Sequence, residues 1–125
     1  MSKSTPPAEE KKTVAQLAEE KAAQLTAEYK EKGVYQIHPI VFKNGDEEIV
    51  GFVKEPSRMA KMAVMDKAMV GGYSAAEEIL ESILLKEHSD PRMFSESQEF
   101  DDIHMGLVVA VYNLIKIKTN TFKKK

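Results

Sequence analysis

Residues 34–53 read VYQIHPIVFKNGDEEIVGFV, and their reading decides the fold class. Two runs, VYQIHPIVF and EIVGFV, are rich in β-branched and aromatic side chains, which suit a pleated, half-buried surface. Between them lies Asn44-Gly45, the strongest short-range hairpin signal, because both residue types tolerate positive φ. The pattern predicts an antiparallel hairpin. Pro39 has no N–H for a ladder bond, so its strand is expected to be an edge or to kink there. A lone hairpin is marginal in water, so it must pack on helices or pair with another chain.

On the N-terminal side, Thr13 reads as an N-cap with Gln16 completing a capping box. The residues from there to Lys32, VAQLAEEKAAQLTAEYKEK, are strong helix formers, and Gly33 suits the stop. Val14, Leu17, Ala18, Leu25 and Tyr29 give this helix (13–33) only a thin apolar stripe. It need not belong to the core: docking weakly, pairing with a partner and projecting from the body are all open to it. Residues 1–12 are polar, contain Pro6-Pro7, and read as a disordered arm.

Three helices are expected after the hairpin. Pro56 fits the first turn of a helix running to Val70, ended by Gly71-Gly72. Ser74 and Glu77 form a capping box for the next, whose Ala76, Ile79, Leu80, Ile83 and Leu84 repeat at helical spacing and which stops near His88. The stretch HSDPRMFSESQEFDD reads as a polar loop. Asp101 and Asp102 favour the positive end of a last helix. Its run GLVVAVY is apolar nearly all round, so it should form the centre of the core. The expected fold is α+β: one β-hairpin packed with a three-helix bundle over 34–125, preceded by a separate N-terminal helix.

Composition narrows the function. The 125 residues suit one domain with a modest core. There is no cysteine, hence no disulfide, thiol nucleophile or zinc-thiolate site. A net charge of −2 gives no global drive toward nucleic acid. No apolar run approaches the length needed to cross a bilayer, and the first residues lack a signal-peptide pattern, which fits the cytosol. His38, His88 and His104 lie far apart, with no metal-ligand spacing. The pairs Glu77-Glu78 and Asp101-Asp102 sit in first turns of expected helices, where negative charge is favourable for structural reasons. Ser57 and Ser74 read as helix-start residues. No catalytic motif, cofactor loop or metal site is present, and Lys123 to Lys125 read as a solubilising tail.

The stretch Glu55 to Met69, EPSRMAKMAVMDKAM, carries four methionines. At ~100° per residue, Met59, Met62, Met65 and Met69 fall on one face, within an arc of roughly 120°. Asp66 projects into that arc. A methionine stripe is core more often than not, yet methionine is also the side chain that repacks most readily around a partner. A groove open at one end and closed by a partner reconciles the two.

The junction V-K-E-P-S-R (Val53 to Arg58), the following helix, the A-E-E-I-L helix (Ala76 to Leu80), the polar Asp-containing loop and the apolar last helix with its lysine-rich tail form an ordered pattern. Over 34–125 it resembles small tail assembly chaperone-like proteins of bacteriophages and prophages, notably those of gut Bacteroidetes. The helix at 13–33 lies outside the family pattern. The resemblance implies a non-enzymatic holdase in the host cell cytoplasm that coats the tape measure protein, a long helical ruler, before the tail tube polymerises around it. The Met59-Met62-Met65-Met69 face is then the candidate partner-binding lining, and the hairpin edge could join copies into a homo-oligomer along the client. The alternative is a permanent virion protein of head, neck or tail, attached through the N-terminal helix. Neither reading calls for nucleic acid, a membrane, a metal or a cofactor.

Overall fold

The computed structural model describes residues 12–68 and 70–123. Residues 1–11 of the expected disordered arm lie outside the described residues. The elements follow in the order α1 (Val14–Tyr29), β1 (Ile37–Asn44), β2 (Glu47–Lys54), α2 (Arg58–Asp66), α3 (Gly72–Ile83) and α4 (Asp101–Lys123). This is the α+β fold that the sequence predicts. Single-turn 3-10 helices at Lys30–Lys32, Lys86–His88, Pro91–Phe94 and Gln98–Phe100 fill the connections.

The hairpin pairs Ile37 with Lys54 through to Asn44 with Glu47. Its turn is therefore Gly45-Asp46, one residue beyond the expected Asn44-Gly45. Gly45 has φ +67°, so the position that demands a left-handed backbone is met by the residue without a Cβ. Strand alternation then sends side chains to two faces. Ile40, Ile49 and Val53 join the cluster built by α2, α3 and α4, whereas Ile37 and Phe52 join Ala18, Ala22 and Leu25 of α1. The hairpin is thus a shared wall between one helix and three.

α1 starts with the expected capping box: Thr13 Oγ1 accepts from Gln16 N at 3.1 Å and Gln16 Oε1 accepts from Thr13 N at 2.8 Å. Of the three fates open to this helix, the structure selects docking. Ala18 and Ala22 let the helix axis approach the strands closely, so a thin stripe suffices. Thr26 Oγ1 also accepts from the outward-pointing Ile37 N at 3.0 Å.

The outer edge of β2 is closed by the chain after α3. Leu84 bridges Val53, Leu85 N donates to Phe52 O (2.9 Å) and Asp90 N donates to Val50 O (3.0 Å). Ser89 Oγ accepts from Phe52 N at 3.0 Å. Buried backbone groups need such partners, which explains why α3 stops at Ile83 rather than near His88. The same ladder phase turns Pro39 and Val41, opposite Phe52 and Val50, toward the outer edge of β1. Pro39 therefore loses no hairpin bond.

Two other helix limits differ from the sequence reading. α2 starts at Arg58, with Ser57 Oγ accepting from Ala60 N (3.1 Å), and ends at Asp66 instead of Val70. The chain then turns tightly, with Gly71 N donating to Lys67 O at 2.6 Å. α3 starts at Gly72, two residues before Ser74, and Gly71 is its N-cap, so no Ser74–Glu77 capping box forms. Gly72 is pressed against the Tyr112 ring, where an added Cβ would lie 3.2 Å from Cδ1 and nearer still to Cε1. α4 is the centre of the core, with Ile103, Leu107, Val108, Val111 and Ile115 buried.

Candidate partner-docking site on α2

α2 touches the core through a narrow side. Val64 is fully buried, and Met65 packs against the main cluster from a partly buried position. Met59 is 81% exposed and Met62 57% exposed. The helical wheel explains this split. Val64 lies about 140° from Met59, whereas Asp66 lies within about 20° of it. Burying Met59 would desolvate Asp66, so the half of the methionine arc that holds Asp66 faces water and the end at Met65 faces the core. Met69, the fourth residue of the expected face, lies outside the described residues. Val70, in the turn after α2, and Tyr73, in the first turn of α3, are exposed as well, and Tyr73 meets Tyr112 edge-on at 4.8 Å.

A polar cluster behind α2 fixes it to the hairpin. His38, on the bundle side of β1 and buried, has Nε2 2.6 Å from Glu55 Oε1, and the other oxygen of Glu55 accepts from Lys61 Nζ. Sequence reading placed His38 only as a strand histidine. Its carboxylate partner is 17 residues away, and only the hairpin register brings them together. The remaining polar contacts fasten the long connection. Arg92 binds Glu47 through both terminal nitrogens (2.9 and 2.8 Å) and Asp90 through Nε and Nη2 (3.0 and 2.7 Å). These hydrogen bonds hold the Glu47 and Asp90 carboxyls below their ordinary range and raise Arg92.

A groove of about 570 Å³ opens on the other side of the bundle, between α3, the start of α4 and residues 93–96. His104 stands in its wall, with Nδ1 donating to the Met93 carbonyl (2.8 Å) and Nε2 3.2 Å from Glu77 Oε2. Among the described residues no group of three or more histidine, cysteine or carboxylate side chains is placed to hold a metal ion. No helix among them is long and apolar enough to cross a membrane.

Known protein families, curated proteins and solved structures contain no match to this chain. The site therefore stands on its own geometry: a short, firmly anchored helix that presents two thioether side chains to solvent.

Proposed function

We propose that this protein is a non-enzymatic tail assembly chaperone that holds the phage tape measure protein in the host cytoplasm through Met59 and Met62, with Met65 as the inner lip of the contact. The observation that carries the reading is the exposure of Met59 and Met62 on a helix whose inner side is already fixed by Val64 and the Glu55–Lys61 contact. Long, unbranched, polarizable side chains adapt to the varied apolar surface of a helical client. Met69 belongs to the same face by sequence.

The test is binding of a purified tape measure segment to the Met59→Asp/Met62→Asp variant. Affinity should fall at least about tenfold, while the urea midpoint stays put, because exposed substitutions generally change stability by less than about 0.5 kcal/mol. Loss of folding, or unchanged affinity in a folded variant, overturns the reading. Mass spectrometry of purified particles separates the alternative of a permanent virion protein attached through α1. A chaperone is abundant in lysate and scarce in particles, whereas a virion part is retained at fixed copy number. Against that alternative, the apolar side of α1 already faces the hairpin through Ala18, Ala22 and Leu25, with Leu17 left half exposed.

A further inference from the structure

Charge along this chain is sharply segregated. Residues 77–102 hold nine carboxylates against Lys86 and Arg92, whereas residues 116–125, KIKTNTFKKK, hold five lysines and no acid. The acidic stretch supplies the rim of the 570 Å³ groove. Leu80, Leu84, Met93, Phe94 and Leu107 line it as well and supply an apolar part of its wall. Glu81 is paired with Lys86 and Glu77 with His104, but Glu96 and Asp101 on the same rim have no ion pair among the described residues. The groove already shows how it receives a lysine: Lys86 Nζ lies 3.0 Å from Glu81 Oε2 and 5.5 Å from the centroid of the Phe94 ring. A carboxylate at the ammonium and an aromatic face beneath it is a favourable setting for such a cation.

We infer that this groove takes the lysine-rich segment Phe122–Lys125 of a second copy of the chain, with the lysines on Glu96 and Asp101. The segment cannot reach the groove of its own molecule. α4 starts at the groove and runs unbroken to Lys123. From Leu107, its last groove residue, to Phe122 is about 22 Å of continuous helix, far beyond the span of one side chain. Acidic groove and basic segment thus lie toward opposite ends of one helix, so their pairing is between copies. Reciprocal exchange between two antiparallel copies closes a two-fold dimer, and one-way exchange gives a ring or a filament. The inference stands independently of what the α2 methionines bind.

Sedimentation velocity of the full chain over a concentration series tests it. The chain should self-associate at low salt, and raising salt from about 50 to about 500 mM should weaken association at least tenfold, as for any contact built on exposed charges. Lys123→Glu/Lys124→Glu/Lys125→Glu should remain monomeric, as should Glu96→Lys/Asp101→Lys. Mixing those two variants should restore association, because each groove then meets a segment of opposite charge. Should Asp101→Lys disturb the start of α4, seen as a lowered melting temperature, Glu96→Lys alone should still weaken association severalfold. A monomeric natural chain, a tail variant that associates undiminished, or a mixture that stays monomeric overturns the inference. Binding of only an added basic peptide, without self-association, also overturns it.

Discussion

Single side chains divide here into those that hold the fold and those that face outward, and α2 shows the division within nine residues. Val64→Ala removes two methyl groups from a fully buried site and should cost about 2 kcal/mol in urea unfolding, against the near-neutral cost expected for Met59→Asp/Met62→Asp. Ser89 is the opposite case, a polar residue that is buried. Its hydroxyl donates to Leu85 O at 2.8 Å and accepts from Phe52 N. Ser89→Ala strands the Phe52 N–H and should destabilise by about 1–3 kcal/mol. Hydrogen exchange would show that amide deprotected. Nothing local in the sequence marked Ser89, since its role depends on β2 lying 37 residues away. The outward turn of Met59, by contrast, was legible in Asp66.

The elements were legible where a local signal and the tertiary packing agree. Thr13 and Gln16 start α1, Asp101 starts α4, and the strand composition around the glycine turn yields the hairpin. Element ends were less legible. α3 loses its last turn because Leu84 and Leu85 close the β2 edge, and it gains Gly72 because Tyr112 leaves room there for no side chain. Both causes are long-range. A similar close approach ties β2 to the 3-10 turn at Pro91–Phe94. A Cβ on Gly51 would lie 2.7 Å from Met93 Cε and 3.3 Å from Ser89 Oγ. Met93 is fully buried, but the crowded atoms are the far end of its flexible side chain, which also lines the 570 Å³ groove. That end can give way, so Gly51→Ala should cost about 1 kcal/mol, the low end for overpacking. Combining it with Met93→Ala should recover part of that cost, a coupling that a double-mutant cycle of denaturation midpoints would read.

Across the whole molecule, Arg92 joins the hairpin turn to the connection between α3 and α4. The Glu47 and Asp90 carboxyls titrate below their ordinary values of 4.5 and 3.8, chiefly through hydrogen bonds from Arg92. The folded state therefore releases their protons more readily than the unfolded state. The stabilisation is present above the ordinary carboxylate range and is lost as pH falls through the lowered values. Arg92→Met should be less stable than the natural chain at pH 7, and the gap should narrow in acid, at a pH below both lowered carboxylate values. Urea melts at both pH values would check this, and a gap that persisted in acid would mean that Arg92 acts through packing instead. The closed edge of β2 has a further consequence at this scale. Exposed strand edges are the usual templates on which folded chains add to one another and precipitate. Here one edge is occupied by the chain's own residues 84–90, and on the other Pro39 offers no donor while the Ile37 N–H is taken by Thr26. Strand-to-strand growth between copies is thus blocked along β2 and, at Ile37 and Pro39, along the first half of β1, which leaves the edge at Val41 as the stretch where another strand could pair.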